Sequence, residues 1–323
     1  MPAPSLTRPL TLALAALAAA AGCADSPPPD DNEGRLAAPG PDDVEAPTTT
    51  AAALDEAAGP CPANVCQSKV MVIGCDERQL IPAGTNATTT SPWRHVGWLS
   101  MGCTGTLIGP KHVLTAAHCV EGADPGESIY FRLAQTDRGV CPMGTRYVKR
   151  VFRPAAWDGN DNQAEAALDY AVLELNSSFT GAVPMDFAYV TWADTEVRRS
   201  YSIGYPSTTA AYQDDRPVST GTGDFGPSPS RWLDGGAKGT LEVDNDAEGG
   251  QSGAPIYVFI DGVRTVVGVL LGSPIASCQA GHLWASRLTP GAIDHIEAAM
   301  TPNTIDLFWE VVNLTVEPAR NGC

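Results

Sequence analysis

The chain has 323 residues, 43% of them hydrophobic, with 32 glycines and 27 prolines. This suits a globular protein with many turns, long enough for one large domain or two small ones. Its formal net charge of −17 excludes nucleic acid as the main partner, because the phosphate backbone repels an acidic surface.

The first predicted element is a targeting segment over residues 1–22. Arg8 supplies the positive end, and "LTLALAALAAAA" is an apolar run of twelve residues, too short to span a bilayer as a helix. The run ends in "AAGC", which resembles the lipobox of bacterial lipoproteins, with Cys23 as the residue that takes the lipid. The expectation is an exported protein, either a cell-envelope lipoprotein anchored through Cys23 or a secreted one. Residues 23–66 follow as a spacer. Between 24 and 60 there are nine acidic residues and one basic, Arg35, among many Pro, Ala and Thr. Such a segment buries too little apolar surface to offset its chain entropy and reads as disordered.

From about residue 67 the pattern is one of short strands. "KVMVIG", "VGWLSMGCTGTLIG", "HVLTAA", "SIYFRLA", "RYVKRVFRP" and "YAVLELN" are rich in β-branched and aromatic residues and are broken by Gly, Pro and Asp. A second series comprises "RSYSIGYP", "GTLEVDND", "APIYVFIDG", "RTVVGVLLGS" and "HLWASRLT", and "PGAIDHIEAAM" is the one helix candidate of any length. The expected fold is all-β: two antiparallel six-stranded β-barrels, about 67–185 and 198–300, with a short C-terminal helix and a tail over 301–323. Residues 176–197 would cross between the barrels.

There are nine cysteines: Cys23, Cys61, Cys66, Cys75, Cys103, Cys119, Cys141, Cys278 and Cys323. If Cys23 carries a lipid, eight remain, enough for four disulfides in an exported protein. No C-x-x-C pair occurs and there are only five histidines, so no zinc site is expected. No cofactor is expected either. Asp244, Asp246 and Glu248 lack the glycine and distal glutamate of a calcium loop and read as solvated or pocket-lining.

The most informative stretch is "DNDAEGGQSGAPIY", residues 244–257. Glycines around Ser252 leave room for a substrate backbone, and the N–H groups of Gly250 and Ser252 are placed to receive an oxyanion. Serine needs a base, and His118 stands at the end of the apolar run "HVLTAA". A hairpin from 103 to 119 would bring Cys103 and Cys119 together and brace the loop that carries this histidine. A carboxylate must then fix the imidazole. Asp169 opens the apolar strand "DYAVLEL", where a buried aspartate needs a strong partner, whereas Asp158 and Asp161 lie in a polar loop.

The order His118, Asp169, Ser252 is the chymotrypsin order. With "VIGCDER", "CTGTLIGPKHVLTAAHC", "DYAVLEL", "IGYP" and "GGQSGAP", the chain resembles the trypsin-like serine proteases over about residues 70–300. Within them it is most similar to the bacterial glutamyl endopeptidase, V8-like, branch. The resemblance implies His118 as general base, Asp169 as its orienter, Ser252 as nucleophile, Gly250 as oxyanion donor and a Cys103–Cys119 bridge. It implies protein or peptide substrates and a monomer. Gln251 stands where vertebrate digestive proteases have the aspartate that pairs with a freed N-terminus. The positions of the threonine and histidine that help glutamyl endopeptidases hold a substrate carboxylate fall on Ala247 and Leu270. Asp246 stands where trypsin has its specificity aspartate. A pocket of Asp246, Ala247 and Leu270, with Glu248 nearby, is expected to accept Arg or Lys at least as well as Glu.

The expected function is therefore an extracytoplasmic serine endopeptidase. The alternatives are a silent binding module on the same fold and an esterase using the same three residues. His95, His112, His282 and His295 read as structural or exposed. The sequons at Asn86, Asn176 and Asn313 would carry no weight if the source is bacterial.

Overall fold

The computed structural model describes residues 64–67, 70–81, 88–137, 139–159, 166–196, 198–207, 217–223, 239–272, 278–279, 281–302 and 306–323. The expected targeting segment, Cys23, nearly all of the spacer, Asn86 and Asp161 lie outside the described residues.

Eighteen strands are present among them: β1 (Val65–Gln67), β2 (Val70–Val72), β3 (Gln79–Leu80), β4 (Val96–Leu99), β5 (Cys103–Gly109), β6 (His112–Thr115), β7 (Tyr130–Leu133), β8 (Thr145–Pro154), β9 (Ala171–Leu175), β10 (Asp186–Phe187), β11 (Ser200–Gly204), β12 (Val218–Gly223), β13 (Thr240–Val243), β14 (Ala247–Glu248), β15 (Pro255–Ile260), β16 (Val263–Gly272), β17 (Leu283–Arg287) and β18 (Trp309–Asn313). The first sheet runs β18-β8-β7-β4-β5-β6-β9, and a further β8–β9 pairing closes six of its strands into a barrel. The ten-residue β8 makes closure possible. Its start pairs with β7, its middle with β9 and its end with β18. The second sheet runs β13-β17-β16-β15-β11-β12-β3, with β10 beside β16, and a small third sheet is β1-β2-β14. The all-β expectation of two strand groups with few helices holds.

Each sheet has its own apolar interior. In the first, all seven residues of β5 and all five of β9 are buried, and Val96, Leu107, Leu114, Phe131, Val148 and Leu173 meet inside. In the second, Leu241, Val243, Ile256, Val258, Val267 and Leu283 do the same. Strands buried along their length read as near-continuous apolar runs, which is the pattern of "YAVLEL". The exception inside β9 is Glu174, which is buried but ion-paired with Lys111 at 2.8 Å and with Arg150. The helix Pro290–Met300 starts at Thr289, whose hydroxyl accepts from Ala292 N at 3.2 Å. Proline follows at the first helical position, where its missing N–H costs nothing. Ala292, Ile296 and Ala299 form its buried face.

One boundary differs from expectation. Residues 65–80 do not open the first barrel. β2 pairs with β14 in the small third sheet, β3 pairs with β12 in the second, and Cys66 is bonded to Cys278, so this segment is tied to the C-terminal half of the chain. The C-terminal tail is held at two places. β18 pairs with β8 over five residues and Cys323 is bonded to Cys141. Trp309 and Leu314 are buried at the two ends of this segment, and the residues between them are half-buried or exposed.

Candidate active site

β6 carries the chain into the site. Its four residues are buried, and after Ala116 and Ala117 the chain turns through a 3-10 turn, His118–Val120. Cys119 in that turn is bonded to Cys103, the first residue of β5, as the resemblance implied. β6 also pairs with β9, with Thr115 opposite Ala171. Continuing that antiparallel register by two residues puts 169 opposite 117. Asp169 accordingly meets His118 twice: its Oδ1 accepts from the His118 backbone N–H at 2.9 Å, and its Oδ2 lies 2.7 Å from His118 Nδ1. The Asp169 side chain is 13% exposed and the His118 ring 34%, so the carboxylate is shielded while the imidazole reaches the surface.

The serine turn is built to meet the histidine turn. Gly253 has φ +84°, and a Cβ there would lie 2.2 Å from Thr104 O and 2.2 Å from Thr115 Oγ1. Only glycine permits both the backbone angle and the approach. Thr104 N donates to Ser252 O at 2.9 Å, and the Cys119 sulfur lies 3.6 Å from the same oxygen. The Thr104 hydroxyl donates to Gly250 O at 2.9 Å and accepts from Tyr205 N at 2.9 Å. Thr115 Oγ1 in turn donates to Thr104 O at 2.7 Å. Thr104 and Thr115 thus stitch the two turns together. Sequence reasoning passed over both, although they flank the disulfide in "CTGTLIGPKHVLTAAHC".

Gly250 also has a positive φ, +99°. The preceding carbonyl, Gly249 O, accepts from Ser207 N at 2.8 Å and from Ser207 Oγ at 3.3 Å. In a trans peptide the N–H points opposite to the C=O, so Gly250 N–H faces away from Ser207. Among the described residues the N–H groups of Gly250 and Ser252 make no hydrogen bond, which leaves two donors for an incoming oxygen. The Ser252 hydroxyl donates to Leu271 O at 3.4 Å, a long bond that is readily exchanged. Gln251 Oε1 accepts from Glu248 N at 2.8 Å, so a neutral side chain braces this loop where an ion pair would need a freed N-terminus.

The specificity residues are placed otherwise than expected. Asp246 is buried, and its two oxygens accept from Ile73 N and Glu77 N, each at 2.8 Å. It clasps the segment between β2 and β3. Burial pushes its carboxyl up to about 7, against the pull of those two N–H groups. Glu248 is ion-paired with Arg78 at 2.7 Å, and Arg78 also meets Asp76 at 2.8 Å. The expected uncompensated negative wall is therefore absent: one carboxylate is spent on backbone donors and the other on a guanidinium. Ala247 and Leu270 are buried within the apolar cluster of the second sheet. Leu270 contributes through its backbone, accepting from Gly253 N and donating to Ala254 O, both at 2.8 Å.

Among the described residues, one group of possible metal ligands lies close together: Cys103, His118 and Cys119. The two sulfurs are joined in the disulfide and offer no thiolate. The other histidines take structural places. His95 bridges Ser91 Oγ at 3.0 Å and Val183 O at 2.7 Å, and His295 pairs with Asp306 at 2.6 Å. His282 lies 3.6 Å from Glu242. His112 is buried with Nδ1 unpartnered among the described residues, and burial lowers it to about 4.

Known proteins resemble this one. The glutamyl endopeptidase of Bacillus licheniformis is 30% identical over 203 residues, 61% of this chain and 57% of that protein. A Bacillus subtilis protein named extracellular metalloprotease is 29% identical, over 58% of this chain and 57% of its own length. The chain thus spans little more than half the length of these relatives. The human protein named serine protease 23 is 33% identical over 33% of each chain. A solved glutamyl endopeptidase structure in complex with MPD shares the fold, with a TM-score of 0.57 at 18% identity over 71% of this chain and 98% of that one. The family described as "Trypsin-like peptidase domain" matches residues 103–269, about half of the chain and the stretch that holds all three of His118, Asp169 and Ser252, and to that family the protein belongs.

Proposed function

We propose that the protein is a serine endopeptidase that works outside the cytoplasm. The observation that carries this reading is the pair of hydrogen bonds between Asp169 and His118, beside a turn carrying Ser252 that Thr104 holds in place. In the reaction, the Ser252 oxygen attacks the scissile carbonyl while His118 accepts the hydroxyl proton. Asp169 holds Nδ1–H and steadies the imidazolium that forms. The carbonyl oxygen gains negative charge and is received by the N–H groups of Gly250 and Ser252. His118 then returns the proton to the leaving amine, and the acyl group stays on Ser252 until water, activated by the same histidine, releases it. Every proton taken up by His118 is given back within the cycle, so the residues need no metal or redox partner.

The Bacillus licheniformis relative, named glutamyl endopeptidase, makes Glu the natural reference for the residue before the scissile bond. The electrostatic reason for favouring Arg or Lys no longer stands, because Asp246 and Glu248 are both engaged elsewhere. The test is hydrolysis of matched peptides by the wild type and by Ser252→Ala. Loss of cleavage by several orders of magnitude in the variant supports the reading, and retained cleavage opposes it. An enzyme that hydrolyses small esters but no peptide is an esterase instead.

The proposed location rests on the apolar segment before Cys23 and on three disulfides among the described residues, which persist in oxidising compartments. Cys75 is disulfide-bonded as well, with a partner outside the described residues. With a lipid on Cys23 the protein partitions into membranes, and Cys23→Ser shifts it to the soluble fraction. Unchanged fractionation argues for secretion without an anchor.

A further inference from the structure

We propose that the free edge of β18 is an exosite that captures an extended, basic segment of a protein partner as an added strand, away from the bond being cut.

Backbone parity sets which way each peptide group of β18 faces. Phe308 O accepts from Ala155 N at 2.8 Å, and Leu314 N donates to Lys149 O at 3.0 Å. In an antiparallel pair, alternate residues bond to the partner strand. Residues 308, 310, 312 and 314 therefore direct their backbone groups at β8, and 309, 311 and 313 direct theirs away from it. Among the described residues β18 pairs with β8 alone. The outward N–H and C=O of Val311 and Asn313 are thus an open template.

The position beside that template is a slot, not a flat face. Just past β18, Thr315 N donates outward to Glu127 O at 3.2 Å, so the loop after His118 already lies where a neighbouring strand would run. Opposite Val311 and Asn313 that loop stands off, and a cavity of about 460 Å³ lies between them, lined also by Glu121, Asp124, Arg153 and Glu310. At its end Arg153 donates to Glu121 O at 3.0 Å. Val311 is 43% exposed toward solvent, large for a strand residue with no covering element.

Charge selects the occupant. Arg153 is already paired with Glu310 at 2.6 Å. The lining holds three carboxylates, Glu121, Asp124 and Glu310, against that one guanidinium, so Glu121 and Asp124 leave the slot net negative. A peptide that adds its backbone to Val311 and Asn313 and sets Lys or Arg side chains against those two carboxylates meets both features at once. Because Glu121 lies three residues beyond His118 in the same loop, a segment held there belongs to a chain already close to the serine turn.

The test uses the full chain with Ser252→Ala, so that a bound peptide survives. Fluorescently labelled peptides of alternating Lys and Val, and of alternating Glu and Val, are titrated by anisotropy at low and at physiological salt. The Lys peptide is expected to bind at least tenfold more tightly, and less so as salt rises. Val311→Pro removes an outward N–H without touching the β8 ladder, since 311 does not bond to β8. It is expected to weaken the Lys peptide at least tenfold. Glu121→Gln with Asp124→Asn is expected to erase the preference for Lys over Glu. Neither change should alter hydrolysis of a short chromogenic substrate when made in the wild-type background, a control that also reports folding. Equal binding of the two peptides, or unchanged binding by a folded Val311→Pro protein, overturns the proposal and leaves the peptidase reading intact.

Discussion

Asp169 grips His118 at two points, with one oxygen on the backbone N–H at 2.9 Å and the other 2.7 Å from Nδ1. The first bond fixes where the residue sits, and the second fixes which ring nitrogen keeps the proton.

Asp169→Asn separates those two tasks. An amide oxygen can still accept from one N–H, but the amide nitrogen then faces Nδ1 as a donor and favours the wrong tautomer. The expected result is a folded protein whose kcat falls by about four orders of magnitude with KM little changed. A variant with kcat within tenfold of the wild type would remove Asp169 from the mechanism.

Gly253 is predicted to be intolerant. A methyl group would sit 2.2 Å from Thr104 O, a backbone atom that cannot swing aside, at a φ of +84°. Gly253→Ala is expected to cost roughly 3 kcal/mol or more from overpacking and backbone strain. Because the collision pushes the serine turn off the histidine turn, activity should fall even where the protein remains folded. Urea denaturation followed by kinetics on the folded fraction reads both.

Asp246 predicts a pH effect. Burial raises its folded carboxyl to about 7, against an ordinary 3.8. Between those values the folded chain holds a proton that the unfolded chain has released. The stability this provides is complete below the ordinary value and is lost as pH rises through about 7. In magnitude it is on the order of 4 kcal/mol at most. Denaturation midpoints at about pH 5 and about pH 8 should therefore converge in Asp246→Asn relative to the wild type. An identical pH slope in the two proteins contradicts the burial argument.

Much of this was legible from residue order because the site depends on local strings. "AAHC", "LDYA" and "GQSGAP" each place one group at a strand end, and strand registers bring those ends together. The strand series was legible through its β-branched runs, and the helix through Thr289, Pro290 and its spaced apolar residues. What stayed hidden depends on pairing between distant segments. Nothing near Asp246 reveals that Ile73 and Glu77 would occupy its oxygens, since the partners lie about 170 residues away. The charge of Glu248 likewise looked free until Arg78 was placed beside it. The partner of the tail is hidden for the same reason: only the fold shows that Trp309–Asn313 pairs with β8 and that Cys323 reaches Cys141.

The central claim is that Ser252 is a nucleophile activated by His118. It is tested most directly by treating the full chain with a fluorophosphonate and locating the adduct by mass spectrometry, since this reagent reports serine reactivity whatever the peptide preference. The account predicts one phosphonyl group, on Ser252, and its near absence in His118→Ala. An unlabelled Ser252 in the folded wild-type protein, or labelling that persists unchanged without His118, would contradict it.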